Sequence, residues 1–289
     1  MSIVISHGDK GGVGKSLLIC AYIDYRMNHE GFNSEKLVVL DADPRNADVF
    51  RMFDGYLPQV ERVNLAAKED WMKFVDRIQS EKDKGYDYII SMPAGVGAIL
   101  SKEGAKFGDY VELLGHEITM FWTIDRMPDS VNLLKRAMFD IGSKVKQMIL
   151  VKNQFFGTAD SFSRWDSSYL RKLFLLGGGI EANLPELHEW VIDEVIGNQL
   201  DEADVKQILL RQGAISSSEA AISGTHRTIP FSALLNRVEL RLTLRGEMEE
   251  WLRKVDSFFA EIDMQVQVKN RKARQVSETQ PKNTKRTTP

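Results

Sequence analysis

A short glycine-rich segment near the start of the chain carries the residues best suited to chemistry. It lies between an apolar run, Ile3–Ser6, and a helical pattern, Leu17–Met27, and its sequence is DKGGVGKS, residues 9–16. Glycines let main-chain N–H groups converge on phosphate oxygens without an obstructing Cβ, and the following helix directs the positive end of its dipole at the same anion. This order of strand, loop, Lys-Ser pair and helix predicts a P-loop.

Each part of this loop has an expected task in nucleotide binding. Lys15 is predicted to reach the β- and γ-phosphates, and the Ser16 hydroxyl is predicted to ligate Mg²⁺. The loop departs from the ordinary pattern at its start, where Asp9 replaces the usual first glycine and a second lysine, Lys10, follows. The other predicted nucleotide-binding positions are Gly11, Gly12, Val13 and Gly14.

The segment KGGVGKS, residues 10–16, resembles the deviant P-loop of the ParA/MinD family of positioning ATPases. By this resemblance, Lys10 reaches the phosphates of the nucleotide that a partner subunit binds. Lys10 and Lys15 are then both catalytic residues, and the resemblance implies a homodimer that forms on ATP binding. A solvent-exposed loop lysine is the alternative interpretation of Lys10.

Two aspartates follow the second apolar run, in the sequence LDADP at residues 40–44. This looks like the family's Asp-x-Asp-Pro switch segment, although Arg45 stands where the family has Gln. Acidic groups at the carboxyl end of a neighbouring strand lie close to the γ-phosphate. The resemblance implies that Asp43 orients or deprotonates the attacking water and that Asp41 lies near the Mg²⁺ hydration shell. An acidic turn at a strand end is the alternative.

The third apolar run departs from the family pattern at one position. Its sequence, YDYIISMPAG at residues 86–95, resembles a family segment in which an aspartate that assists Mg²⁺ stands at the place of Ser91. A serine can hold a water molecule but supplies no negative charge, so the departure bears on turnover more than on binding. The turn Pro93–Gly97 could still sense the γ-phosphate through its amides.

The base pocket is expected near the end of the fifth apolar run. By resemblance, Asn153 reads the adenine edge and a proline segment about thirty residues later closes the pocket, the preferred residue being Pro185 and its competitor Pro230. A simple strand-end cap is the alternative role of Asn153. The guanine-specific Asn-Lys-x-Asp pattern does not occur, which favours ATP over GTP.

Later motifs resemble a branch of the family found among plasmid mobilisation, conjugal transfer and plasmid stability proteins. They are KNQFFG at 152–157, Phe162, WDSS at 165–168, LPEL at 184–187 and NRVEL at 236–240. The branch implies an ATP-dependent switch whose partner is DNA or a DNA-bound adaptor protein. Two alternatives remain, a nucleotide-binding scaffold with little hydrolysis and a metabolic P-loop enzyme of the same superfamily.

The elements that must position these residues alternate along the chain. Short β-rich runs separated by helical patterns predict an α/β fold with a mostly parallel sheet flanked by helices, the three-layer arrangement of P-loop NTPases, with additional C-terminal helices. The helical patterns are Leu17–Met27, Trp71–Ile78, Pro128–Ile141, Ser167–Leu176, Leu187–Ile196, Glu202–Gln212 and Glu247–Ile262. The five predicted strands are Ile3–Ser6, Leu37–Asp41, Tyr88–Ser91, Thr119–Ile124 and Met148–Asn153.

Residues 1–262 are predicted to form a single ATPase domain, whose part from about 157 is helical. The apolar stripe of Glu247–Ile262 is expected to pack on the sheet, with a membrane or a partner as the alternative. Residues 263–289 are poor in apolar residues and rich in Lys and Arg, which predicts a disordered basic tail. Such a tail either solubilises the protein or contacts nucleic acid nonspecifically.

Composition and residue spacing exclude several classes of protein and of site. A formal net charge of −3 gives no bulk attraction to nucleic acid, and the single cysteine, Cys20, excludes an internal disulfide framework. No apolar run approaches the about 20 residues that span a bilayer, and the N-terminus does not resemble a signal peptide. We therefore expect a cytoplasmic protein without stable membrane insertion. The five histidines lack metal-ligand spacing, and His7 is expected to be structural.

Overall fold

The protein is built on a central sheet of seven strands in the order β3-β2-β4-β1-β5-β6-β7, and every neighbouring pair is parallel. The computed structural model describes residues 2–192, 230–235 and 241–279, with side chains as far as residue 271. The strands are β1 Ser2–His7, β2 Leu37–Asp41, β3 Val60–Arg62, β4 Asp87–Ser91, β5 Glu117–Ile124, β6 Gln147–Asn153 and β7 Ile180–Leu184.

Helices cover both faces of the sheet and complete a three-layer α/β/α fold. One face packs on α1, α2 and the C-terminal helices, and the other packs on α3, α4 and α5. The helices are α1 Lys15–Met27, α2 Asp48–Phe53, α3 Lys68–Glu81, α4 Gly97–Leu113, α5 Pro128–Asp140, α6 Ser163–Asp166, α7 Tyr169–Leu176, α8 Glu189–Val191, α9 Phe231–Leu234 and α10 Leu242–Thr279.

Alternate strand residues supply two separate cores. In β1, Val4 belongs to the core under α1, whereas Ile3 and Ile5 belong to the core under α3, α4 and α5. Successive side chains of a strand point to opposite faces, so a strand buried on both faces must be apolar nearly throughout. This requirement explains why the five inner strands stood out in the sequence, and all five are confirmed.

The sequence analysis missed both edge strands. β3 has three residues and ends on Glu61 and Arg62, whereas β7 alternates polar with apolar residues in the sequence IEANL. An edge strand lacks a neighbour on one side and therefore tolerates polar residues, which weakens its apolar pattern. β7 also lies inside the part that the sequence predicted to be mostly helical, and that prediction is wrong at this segment.

Four helices, α2, α4, α6 and α9, were also missed. The glycines of α4 lower its helix propensity, yet two of them face tight packing. A Cβ on Gly104 would lie 2.6 Å from Ile141, and one on Gly108 would lie 2.4 Å from the Lys144 side chain. These glycines therefore allow close approach of α4 to the segment after α5.

Several predictions fall partly or wholly outside the described residues. The candidate helix at 202–212 and the motif at 236–240 lie outside them, as do residues 193–196 of the candidate helix at 187–196. Within that last segment, the described helix is α8 and contains three residues.

α10 corrects the prediction of a disordered tail that begins at residue 263. The helix continues through Thr279 without a break at 263, and residues 280–289 lie outside the described part. Its apolar stripe packs into the core as expected, with Met248, Trp251 and Phe259 each no more than 3 % exposed. Helix growth from an anchored segment adds one hydrogen bond per residue, which sustains the helix beyond its apolar part.

Among the helices in the described ranges, none is long and apolar enough to cross a lipid bilayer.

Candidate nucleotide-binding site

The candidate site lies where the strand order reverses. β1 occupies the centre of the sheet. After β1 the chain forms β2 and β3 on one side and then returns to form β4 directly beside β1. It next forms β5 on the other side of β1. Ligands of open parallel sheets bind at the carboxyl ends of the strands at such a switch point. The loop Gly8–Gly14 leaves β1 at this place and leads into α1.

The loop has the conformation of an anion cradle. Gly12 and Gly14 adopt positive φ angles of 74° and 93°, which glycine takes without strain. Gly14 also precedes α1, whose N-terminus has neither a side-chain cap nor an acidic residue in its first turn. The first amides of a helix need a partner, so this N-terminus fits a phosphate group.

The Lys15 side chain lies inside this cradle. It is 8 % exposed, and its Nζ donates a hydrogen bond of 2.7 Å to the carbonyl oxygen of Lys10. Burial lowers the pKa of Lys15, and the nearby carboxylates of Asp43 and Asp9 oppose that shift. An incoming phosphate can therefore replace a neutral carbonyl as the partner of a buried ammonium group.

Lys10 is held at the rim of the loop by an aspartate that the sequence analysis did not single out. Its Nζ lies 2.7 Å from Oδ2 of Asp125, which directly follows β5. Asp125 Oδ1 also accepts hydrogen bonds from Ser130 Oγ at 2.5 Å and the Met127 amide at 3.0 Å. Burial raises the pKa of Asp125, but these donors together hold it below its usual value. The sequence feature that could have identified Asp125 is an acidic residue at the carboxyl end of a strand.

Asp41 organises the loop between β2 and α2. Its Oδ2 accepts hydrogen bonds from the amides of Val49 and Phe50, each at 3.0 Å, and its Oδ1 accepts one from the Asp43 amide at 3.1 Å. Burial raises the pKa of Asp41 and these amides oppose the shift. A carboxylate has about four acceptor positions, so Asp41 retains capacity for a hydrated metal ion.

Asp43 lies on the Lys15 side of the same loop. Its Oδ1 accepts hydrogen bonds from the amides of Arg45 at 2.9 Å and Asn46 at 3.0 Å. Its charge raises the pKa of Lys15, which places the carboxylate within electrostatic range of the cradle. The role predicted for Asp43, orienting the attacking water, stays a prediction.

Ser91 occupies the middle of the carboxyl edge of the sheet. It is 3 % exposed and is the register partner of Ser6 on β1 and of Asp41 on β2. The position therefore adjoins the predicted metal site but carries no charge. The absence of a carboxylate at this place follows directly from the sequence.

The predicted metal ligands are Ser16, at the second position of α1, and Asp41. Within the described residues, no group of three or more His, Cys, Asp or Glu side chains could hold a metal ion. Mg²⁺ in nucleotide sites usually keeps several waters and binds one or two protein groups together with phosphate oxygens. A hydroxyl beside the phosphate cradle and a nearby carboxylate fit that kind of ion.

Asn153 braces the cradle from β6. Its Nδ2 donates to the Val13 carbonyl at 3.0 Å, and its Oδ1 accepts from the Phe155 amide at 3.1 Å. A Cβ on Gly14 would lie 2.2 Å from this Nδ2, so the contact requires glycine there. The second hydrogen bond is the strand-end cap that the sequence left open as an alternative.

The two candidate prolines lie in different places. Leu184 is the register partner of Asn153, so Pro185 follows at the same edge, where its carbonyl accepts a hydrogen bond of 3.1 Å from Trp251 Nε1. Pro230 instead precedes α9, which is bonded to Asp24 on α1. Of the two, Pro185 is the one adjacent to Asn153.

A buried ion-pair network beside this edge was not predicted. Lys152 Nζ lies 2.6 Å from Asp166 Oδ1 and 2.7 Å from Glu181 Oε1, and Arg171 Nε lies 2.7 Å from Glu181 Oε2. Burial raises the pKa of Glu181, but the hydrogen bonds from Lys152 and Arg171 hold it below its usual value. The network ties β6 to β7 and α6 next to Asn153.

His7 has the structural place that the sequence suggested. Its side chain is fully buried, and its ring makes an edge contact with Trp122 at a centroid distance of 4.9 Å. Burial lowers the pKa of His7 to about 4, with Asp9 opposing and Lys15 assisting that shift. The ring is therefore neutral at pH 7.

The chain is similar in sequence to a known protein and weakly similar in structure to a solved one. No family model matches the chain. Protein MobD from Acidithiobacillus ferrooxidans is 27% identical over 199 residues, which cover 69% of this chain and 84% of the relative. The signal recognition particle receptor FtsY from Elizabethkingia anophelis, solved in complex with GDP, has a TM-score of 0.37 and 16% identity. That match covers 63% of this chain and 55% of the FtsY chain.

The fold and the loop together define the molecule at a coarse level. A glycine-rich loop with a Lys-Ser pair joins the central strand of a parallel α/β/α sheet to a helix with an uncapped N-terminus. This is the arrangement of a P-loop nucleotide-binding fold.

Proposed function

We propose that the protein is an ATP-binding, ATP-dependent dimerising switch of the ParA/MinD type, and an ATPase. The observation that carries this proposal is the pair of lysines on one loop. Lys15 lies inside the cradle, whereas Lys10 lies at its rim, 26 % exposed, and pairs with Asp125. A lysine at the rim is placed to leave its own aspartate and contact the nucleotide of a second copy.

The residues of the chain divide the work of phosphoryl transfer. When bound, Mg²⁺–ATP would supply the phosphoryl group and the ion would neutralise part of its charge. The amides at the start of α1 and the Lys15 ammonium would hold the phosphates, and Ser16 and Asp41 would hold the hydrated ion. Asp43 orients the attacking water, and Lys10 of a second copy stabilises charge that develops on the phosphoryl oxygens.

ATP is the proposed nucleotide because Asn153 and Pro185 lie together beside the cradle and no guanine-specific motif occurs. The proposed setting is plasmid partition, plasmid stability or conjugal DNA transfer. The mobilisation-associated name of the relative at 27% identity supports this setting. DNA or a DNA-bound adaptor protein is the proposed partner, and the cytoplasm is the proposed compartment.

Size-exclusion chromatography with light scattering tests the switch. The parent is expected to elute as a monomer with ADP and as a dimer with a slowly hydrolysed ATP analogue and Mg²⁺. Lys15→Ala should lose nucleotide binding and the dimer together. Lys10→Ala should retain nucleotide binding but lose the dimer, because Lys10 acts only on the partner's nucleotide. Lys102→Ala, on the exposed surface of α4, is the matched control and should behave as the parent does.

Two results would count against the proposal. A parent that elutes identically with ADP and the ATP analogue is no switch. A Lys10→Ala protein that dimerises as well as the parent removes the role assigned to the second lysine.

A nucleotide-binding scaffold with little hydrolysis is a second candidate, and Ser91 favours it. The residue lies between Ser6 and Asp41 on neighbouring strands but supplies no charge for the metal ion. Phosphate release by the parent, Asp43→Ala and Ser91→Asp separates the two functions. Release that is lost in Asp43→Ala indicates an ATPase, whereas no release from any of the three indicates a scaffold.

A further inference from the structure

Asp9 has a strained backbone at the first position of the P-loop. In the part of the chain that the structure describes, it is the non-glycine residue with a positive φ, at 46°. Aspartate tolerates this region better than most residues, but the left-handed region is still unfavourable for a residue with a side chain. Such a conformation persists where surrounding contacts hold it.

Two hydrogen bonds join Asp9 to the turn after β4. The Gly97 amide donates to Asp9 Oδ1 at 2.8 Å, and the Gly95 amide donates to the Asp9 carbonyl oxygen at 3.0 Å. Gly11 of the same loop also lies close to this turn, because a Cβ on Gly11 would be 4.0 Å from the Ala94 Cβ. The turn is the one that could sense the γ-phosphate.

The N-terminus of α4 is suited to bind the Asp9 carboxylate. Gly97 is the first residue of α4, and the N-cap residue Val96 makes no side-chain cap. Asp9 therefore caps α4 from a position 88 residues away in the chain. A Cβ on Gly97 would lie 2.2 Å from Asp9 Oδ2, which only glycine avoids. A carboxylate at a helix N-terminus is also favoured by the helix dipole.

We infer that Asp9 is a positioning residue that couples the P-loop to the turn Pro93–Gly97 and the N-terminus of α4, so that a γ-phosphate bound in the loop orders that turn. The inference rests on the proposed function, because it assigns a route by which the same site distinguishes ATP from ADP. Asp9 itself contacts no nucleotide in this scheme. It links the position of the loop to the position of α4, the helix that packs between α3 and α5.

Hydrogen exchange of the full-length protein at the Gly95 and Gly97 amides tests the coupling. In the parent, a slowly hydrolysed ATP analogue with Mg²⁺ should slow exchange at these amides by about tenfold relative to ADP. In Asp9→Gly, which restores the ordinary first glycine and relieves the positive φ, the difference should fall below about twofold. Asp9→Asn keeps an oxygen acceptor and tolerates the backbone angle, so it should retain the parent's response.

Nucleotide affinity supplies the second readout. The ratio of ATP-analogue to ADP affinity should fall at least about fivefold in Asp9→Gly, while ADP affinity changes by less than about threefold. Gly97→Ala places a methyl group against the same carboxylate from the other side and should reproduce the loss with the P-loop sequence intact. It therefore tests the contact even if Asp9→Gly does not fold.

The outcomes separate the two proposals. If the parent binds neither nucleotide, the proposed function fails and the coupling fails with it. If the parent binds both, and both Asp9→Gly and Gly97→Ala retain the tenfold exchange difference and the affinity ratio, the coupling is overturned while the nucleotide site stands. A loss in Asp9→Asn equal to that in Asp9→Gly would also contradict it, because the oxygen acceptor would then be irrelevant.

Discussion

Lys152 is a cation placed inside the fold rather than at its surface. Its side chain is 6 % exposed and lies between Asp166 and Glu181, whereas Lys254 on α10 pairs with Glu250 in solvent, with side chains 58% and 51% exposed. Removing one member of a buried pair leaves the other charge without a partner, which costs several kcal/mol, whereas an exposed pair contributes little. The two lysines therefore differ in what they do for stability.

We expect Lys152→Met to lower the free energy of unfolding by about 3 kcal/mol, and Lys254→Met to lower it by less than about 0.5 kcal/mol. Urea unfolding at pH 7, followed by circular dichroism, measures both. Equal effects of the two substitutions would show that burial of the Lys152 network contributes nothing.

Residue types near the cradle could be predicted because a P-loop is contiguous in sequence. Lys10, Lys15 and Ser16 follow from a single eight-residue segment. Asp125 and Lys152 could not be placed in the same way, because the partner of Asp125 is set by the pairing of β1 with β5 and the partners of Lys152 by the packing of β6 with β7 and α6. A pair such as Lys10 and Asp125 becomes visible only after the strand order is known.

At the scale of elements, α9 is hydrogen-bonded to α1 through one buried carboxylate, that of Asp24. Asp24 on α1 is 1 % exposed and accepts hydrogen bonds from the Ser232 amide at 3.1 Å and from Ser232 Oγ at 2.7 Å. Burial raises the pKa of Asp24 from 3.8 to about 6, although both hydrogen bonds act in the opposite direction. The folded state thus binds this proton more tightly than the unfolded chain does.

The sign of the resulting pH dependence follows from linkage. The contribution of Asp24 to stability is fully present below pH 3.8 and is lost as the pH rises through about 6. In Asp24→Asn this loss disappears, so the stability of the variant relative to the parent should rise by about 2 kcal/mol between pH 4 and pH 7. Urea unfolding across that range measures it, and a constant difference between the two proteins would contradict the assignment.

The sequence predicted elements well where burial on both faces enforces a pattern. β2 was placed at its observed bounds, and α5 was placed to within one residue. β3 and β7 were missed because an edge strand can be short and polar, and α4 was missed because its glycines serve packing against neighbours. The apolar pattern of a segment depends on how the segment is buried, and that burial is determined by the whole fold.

At the scale of the whole molecule, α10 joins the C-terminal part of the chain to the nucleotide-binding layer. Its stripe packs with α1 and β7, and the Phe259 ring lies 5.2 Å from Tyr22 and 5.1 Å from Tyr25 on α1. Phe259 is 1 % exposed, whereas Met264 on the same helix is 58% exposed. The helix is therefore part of the domain core and not an appendage.

We expect Phe259→Ala to lower the free energy of unfolding by about 3 kcal/mol, because it removes a large buried side chain and leaves a cavity. Met264→Ala, the matched control, should change it by less than about 0.5 kcal/mol. Thermal or urea unfolding of the full chain measures both. A small effect at Phe259 would mean that α10 can detach without loss of the core.

The length of α10 has a geometric consequence for whatever this protein contacts. Lys269 already reaches the amino edge of the sheet, where its Nζ lies 3.2 Å from Gln147 Oε1. The ten residues from there to Thr279 extend the helix by about 15 Å at 1.5 Å per residue. A helix that is packed into the core over its first part and continues beyond Lys269 acts as a lever arm. A small tilt of the embedded half would sweep the projecting half through a larger arc.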